Sequence, residues 1–198
     1  MPGFDIVALA SSAGGFRALA QVLTPLPQDF PVPVVIVQHL DPRHSSLMAQ
    51  ILSRRTRLCV VEARNGERVQ PGYVYVAPPD RHLLINGDRT MSLTQTELVH
   101  FVRPSADLLF ESVAAAFRDR AIGVVLTGTG KDGSMGISAI KKMGGTVIAQ
   151  DKGTSEFFGM PAAAIETGNV DFVLPLEDIS SALLSLVMDD ADRGRRHD

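Results

Sequence analysis

Apolar residues fall along this chain in short saturated runs, separated by stretches in which they recur at helical spacing. Residues 5–10, Asp-Ile-Val-Ala-Leu-Ala, carry a single charge at their start and predict a strand buried on both faces. The run passes through Ser11-Ser12-Ala13-Gly14-Gly15 into residues 16–23, whose apolar positions follow a helical repeat. Val34-Val35-Ile36-Val37 predicts a second buried strand that ends on Gln38-His39, with a helix over about 44–54 behind it. Leu58 to Val61 predicts a third strand. Further on, residues 121–126, 146–149 and 171–174 predict strands, alternating with helices over about 104–117, 134–143, 161–166 and 176–188. Strands that alternate with helices in this way imply an α/β fold around an open, mostly parallel, Rossmann-like sheet.

Residues 62–100 break the rhythm. Asn65-Gly66, Pro71-Gly72 and Asn86-Gly87 are turn signals between short stretches such as Tyr73 to Val76 and His82 to Ile85. They predict β-hairpins and edge strands inserted into the sheet. About 40 residues of hairpin cannot bury a core, so no separate domain is expected there. Residues 1–188 are read as one domain, and 189–198, which lack an apolar anchor, as a flexible tail.

Composition narrows the function classes. A net charge of −3 and a pI of about 5.9 give no general attraction to nucleic acid or an anionic membrane. The single cysteine, Cys59, excludes a disulfide framework within the chain, and no apolar run approaches a membrane span; a cytoplasmic protein without membrane insertion is expected.

Three predicted strand ends carry chemistry. Ser11-Ser12 follows the first strand, Gln38-His39 the second, and Thr127 to Gly133 the strand at 121–126. In a parallel sheet all three lie on the carboxyl edge, where open α/β proteins keep their sites. They supply a hydroxyl, an imidazole and a carboxylate, the parts of a nucleophile, base and orienting acid. Other roles stand beside these: Ser11 and Ser12 as helix caps, His39 bonded to backbone, and Asp132 as the cap of the helix that follows it. The first turn has neither G-x-G-x-x-G nor a phosphate-loop pattern, and the five histidines form no zinc motif. No cofactor and no metal are expected.

Residues 8–15, Val37-Gln38-His39, residues 71–78, 103–110 and 126–133, and Phe158-Gly159-Met160-Pro161 closely resemble the catalytic domain of the CheB family of chemotaxis protein-glutamate methylesterases. The resemblance covers about residues 4–188. It implies a three-layer α/β/α sandwich, with Ser12 as nucleophile, His39 as base and Asp132 as the acid. The Thr129 amide would stabilise an oxyanion in the loop with Gly130, near Ala13. The implied reaction is hydrolysis of γ-glutamyl methyl esters on cytoplasmic helices of chemoreceptor-like proteins, with deamidation of glutamines as a related activity. Arg43, Arg103 and Lys131 are candidates for a cationic substrate rim.

The sequence departs from the family pattern in four places. Ala10 stands where many members have glycine, Ala13 where a threonine is usual, Thr129 where methionine is common and Lys131 where asparagine is common. A receiver domain usually precedes this one in the family, whereas here the strand leading to Ser12 begins at residue 5. The expectation is a constitutive enzyme or one controlled in trans by a response regulator. The alternative is a catalytically weakened regulatory or binding paralogue in a chemosensory system; a Rossmann-type nucleotide-binding protein is a third reading, without a fingerprint to support it.

Overall fold

The structure is a computed structural model that describes residues 3–40 and 46–193. Seven parallel strands form its sheet: β1 (Ile6–Ser11), β2 (Val34–Gln38), β3 (Cys59–Glu62), β4 (Tyr73–Val76), β7 (Ala121–Val125), β8 (Thr146–Gln150) and β9 (Phe172–Leu174), in the order β3-β4-β2-β1-β7-β8-β9. The remaining two, β5 (His82–Ile85) and β6 (Met91–Thr94), pair with each other as an antiparallel hairpin.

The central strand β1 has two faces, and each is covered. Val7 and Leu9 pack with α1 (Gly15–Leu23), α2 (Met48–Ser53) and α6 (Leu176–Arg193). Ile6, Ala8 and Ala10 pack with α3 (Ala106–Phe117), α4 (Ser134–Lys142), α5 (Gly159–Glu166) and the hairpin. This gives the three-layer α/β/α sandwich. The small side chains of Ala8 and Ala10 leave room on their face for Leu109, Phe110 and Ile137, all fully buried.

Two expectations change. Tyr73 to Val76 is not a hairpin or edge strand: β4 lies inside the parallel sheet between β2 and β3, with Val74 and Val76 buried. Turn signals flank this stretch, but its apolar content suits a strand covered on both sides. The closing helix α6 continues to Arg193 rather than ending near 188, so it takes in 189–193 of the segment read as a tail at 189–198, and the rest of that segment lies outside the described residues.

From β1 the sheet grows through β2 to one side, and β7 takes the other. The carboxyl ends of β1 and β7 therefore flank the point where strand order reverses, the usual crevice of open α/β sheets. Behind it, α3 and α4 approach very closely at Gly136. A Cβ there would lie 2.6 Å from Phe110 Cβ and 2.8 Å from the Asp107 carbonyl oxygen. Gly136→Ala is expected to destabilise the fold by about 1–3 kcal/mol, as overpacking does. Urea unfolding measures this, and an unchanged midpoint would mean that the two helices can separate without loss.

Candidate active site

The β1 end is pinned from both sides. His39 N–H donates to the Ser11 carbonyl at 3.0 Å, and Ser12 N–H donates to the Thr127 carbonyl at 3.0 Å. The two serines then separate. Ser11 is fully buried and donates from Oγ to Gln38 Oε1 at 2.5 Å. Ser12 is half-buried, and its hydroxyl makes no hydrogen bond among the described residues. Neither caps α1, whose N-terminus has no side-chain cap and begins on Gly14 at φ +74°. Gly128 comes in from the neighbouring loop, where a Cβ would lie 2.8 Å from Ser12 Cβ. Glycine at 128 is what allows the loop to approach the serine.

His39 meets Asp132 and not backbone. Its Nε2 lies 2.7 Å from Asp132 Oδ2, and the Asp132 side chain is only 3% exposed. A carboxylate there needs the proton on Nε2, which leaves Nδ1 as the basic nitrogen of the neutral ring. The Ser12–His39 hydrogen bond expected of a triad is absent from this conformation, and catalytic hydrogen bonds often tighten only when substrate is bound.

Asp132 is more than a partner for one histidine. Its oxygens also accept from Ser105 Oγ (2.8 Å), Ala106 N–H (2.6 Å) and Asp107 N–H (3.1 Å). These are the first donors of α3, so Asp132 caps that helix and not α4, which directly follows it. The cap of α4 is supplied by Asp107, whose Oδ1 accepts from Gly133 N–H (2.9 Å) and Gly136 N–H (2.7 Å). The two helices thus exchange caps, each acid sitting at the positive end of the other's dipole.

The two acids titrate in opposite directions. Burial raises the Asp132 carboxyl, but the His39 hydrogen bond, the Ala106 and Asp107 amides and the imidazole charge together hold it below its ordinary value. For Asp107, burial is the largest influence; the Asp132 charge adds to it and leaves the carboxyl above its ordinary value despite the amides and His100.

Two backbone donors near the serine are uncommitted. The N–H groups of Ala13 and Thr129 make no hydrogen bond among the described residues, and Thr129 and Gly130 are exposed. The cations expected on the rim differ in position. Arg103 is committed elsewhere: its guanidinium holds Asp80 Oδ1 at 2.6 and 2.9 Å and the Thr96 carbonyl at 2.7 Å, which makes it a loop brace. Lys131 is exposed and without an ion pair among the described residues, while Arg43 lies outside them.

Sequence reasoning missed Gln38, Ser105 and Asp107 as parts of the site. Gln38 Nε2 donates to the carbonyls of Ser12 (2.7 Å) and His39 (3.0 Å), so one buried amide ties both strand ends together. An amide at the end of an otherwise apolar strand was the available signal for it. No local signal marks Asp107, because its partners come from a helix 26 and 29 residues away. Among the described residues no cluster of His, Cys, Asp and Glu could hold a metal ion, and no helix is long and apolar enough to cross a membrane.

Residues 7–183 match the family model for CheB methylesterase. A Thermotoga maritima protein named protein-glutamate methylesterase/protein-glutamine glutaminase is 43% identical over 185 residues, covering 92% of this chain; the chain spans about half (54%) of that relative's length. A Leptospira interrogans protein, provisionally named for the same two activities, is 42% identical over 183 residues, 92% of this chain and 95% of its own length. The crystal structure of the Thermotoga maritima CheB methylesterase catalytic domain superposes with a TM-score of 0.90 at 41% identity, covering 93% of this chain and 99% of that one.

Gln38→Leu is expected to destabilise the protein by about 1–3 kcal/mol, because it leaves the buried Ser11 hydroxyl without its acceptor and removes a donor from the Ser12 and His39 carbonyls. Chemical denaturation reads the loss directly. A second expectation concerns acid. Since the Asp132 carboxyl is lowered, the stability it contributes is present above its unfolded value of 3.8 and lost as pH falls through the folded value below that. The raised Asp107 carboxyl works the other way, its contribution being lost as pH rises through its folded value. Wild type should therefore lose stability more steeply than Asp132→Asn below about pH 4. Equal slopes in acid unfolding would contradict the assignment.

Proposed function

The chain belongs to the CheB methylesterase family, and on that premise we propose that it hydrolyses γ-glutamyl methyl esters on chemoreceptor-like proteins by acyl-enzyme chemistry at Ser12. The observation that carries this reading is the His39–Asp132 pair at 2.7 Å, its carboxylate buried, on the same sheet edge as a serine whose hydroxyl is uncommitted.

In the proposed reaction His39 Nδ1 takes the Ser12 proton as Oγ attacks the ester carbonyl. Asp132 keeps the other ring proton on Nε2 and stabilises the imidazolium that forms. The oxyanion accepts from the backbone N–H groups of Thr129 and Ala13. Ala13 offers no hydroxyl, and backbone donors suffice for this role. Collapse expels methoxide, which takes the proton from His39 and leaves as methanol. Water then enters, gives a proton to His39 and attacks the acyl carbonyl, releasing the glutamate carboxylate and Ser12. An amide follows the same path with ammonia as the leaving group, which accounts for deamidation of receptor glutamines. Lys131 adds positive charge beside the site, which favours encounter with acidic helices.

Methanol release from a peptide carrying a γ-methyl glutamyl ester tests the reading. Ser12→Ala should abolish it. Asp132→Asn should lower kcat about 10⁴-fold, the loss that follows when an amide favours the wrong imidazole tautomer. Release by wild type no faster than by Ser12→Ala would instead identify a catalytically weakened paralogue.

A further inference from the structure

The segment between the hairpin and α3 contains a turn that neither turn chemistry nor core packing explains. Val99 and Val102 exchange backbone hydrogen bonds at 3.1 and 2.9 Å, which leaves His100 and Phe101 as the two central residues. Both have positive φ, +50° and +66°. Such turns favour asparagine and glycine, and for phenylalanine this backbone is strained. Burial offers no compensation, since Phe101 is 94% exposed, more than any other large apolar residue described. Leu98 beside it is 54% exposed.

The turn is also held firmly. Arg103 braces it against Asp80 and the Thr96 carbonyl, and His100 Nε2 lies 3.1 Å from Asp107 Oδ2. Asp107 is the same side chain that caps α4 next to Asp132. Strained residues retained in a braced segment next to a reaction site point to function. The turn borders a cleft of about 130 Å³ whose apolar walls are Leu40, Leu98, Phe101, Val102 and Pro104, with His39 and the mutually paired Asp80 and Arg103 at its edge. An apolar cavity of about 150 Å³ holds a benzene molecule, so this space suits one side chain of leucine, methionine or phenylalanine size.

We propose that Phe101 and Leu98 form a recognition subsite beside His39 that takes an apolar side chain of the substrate protein, one helical turn from the esterified glutamate. The inference rests on the methylesterase reading. The cleft shares His39 with the reaction site, so a helix presenting an ester to Ser12 must pass over it. Residues three or four positions from the ester share its helix face, one turn of about 5.4 Å away. The subsite would thus read the sequence around the ester, while the catalytic residues act on the ester alone.

The test compares γ-methyl glutamyl helical peptides carrying leucine or serine one turn from the ester, on each side in turn. Wild type should favour leucine on one side by about tenfold in kcat/KM, the scale on which apolar pockets discriminate. Phe101→Asn and Leu98→Ser should each reduce that preference to about twofold or less, a coupling that a merely structural role would not produce. Asparagine tolerates the left-handed backbone, so the thermal midpoint of Phe101→Asn should equal or exceed that of wild type. An unchanged leucine preference in both variants, or no preference in wild type despite Ser12-dependent methanol release, would overturn the subsite alone. Loss of a concentration-dependent dimer in Phe101→Asn, with peptide preference intact, would overturn it in favour of a self-association surface. Absence of Ser12-dependent release from every peptide would overturn the methylesterase reading and the subsite with it.

Discussion

The site depends on one buried carboxylate. Asp132 is only 3% exposed and accepts hydrogen bonds from an imidazole, a hydroxyl and two backbone amides belonging to two separate stretches of chain, the end of β2 and the start of α3. Burying an ionised group is costly unless it is paired and fully hydrogen-bonded, and here each oxygen has two donors. The same bonds that make Asp132 tolerable in the interior orient His39 and start α3. Its hold on His39 and its structural role are inseparable for that reason.

The exchange of caps between α3 and α4 extends this constraint. The first-turn amides of each helix are held by an acid from the start of the other, Asp132 for α3 and Asp107 for α4, so these bonds form only when the two helices are docked. The tight contact at Gly136 keeps the helices at that distance. On the opposite side of the serine, Gln38 binds the ends of β1 and β2 as one unit, and Thr127 N–H is held by Gln150 Oε1 at 2.8 Å. Two strand-end glutamines therefore secure the floor from which the serine and the glycine-rich loop rise.

Charge on the rim is distributed differently from what the bare sequence suggests. Arg103 reads as a free cation next to a helix start, yet its guanidinium is consumed by Asp80 and a loop carbonyl. What it holds in place is apolar: the turn that presents Leu98 and Phe101 next to His39. Exposed apolar surface beside a reaction site offers binding by desolvation, which salt does not screen.

Periodicity and strand-end chemistry were enough to give the α/β alternation, the buried strands, and strand-end positions for Ser12, His39 and Asp132 on one edge of the sheet. These follow from local rules, because a saturated apolar run must be covered on both faces and a parallel sheet places all its carboxyl ends together. The motifs themselves carried the family resemblance. The sequence could not reveal that Ser11 turns inward while Ser12 stays uncommitted, since both fit the same turn and only Gln38, 27 residues from Ser11, separates them. Nor could it place β4 inside the sheet, assign Asp132 to the cap of α3, or show that Arg103 is spent on Asp80. Each of these is a pairing between residues far apart in the chain, and hydrogen-bond partners over such distances are chosen by packing, which local propensity does not encode.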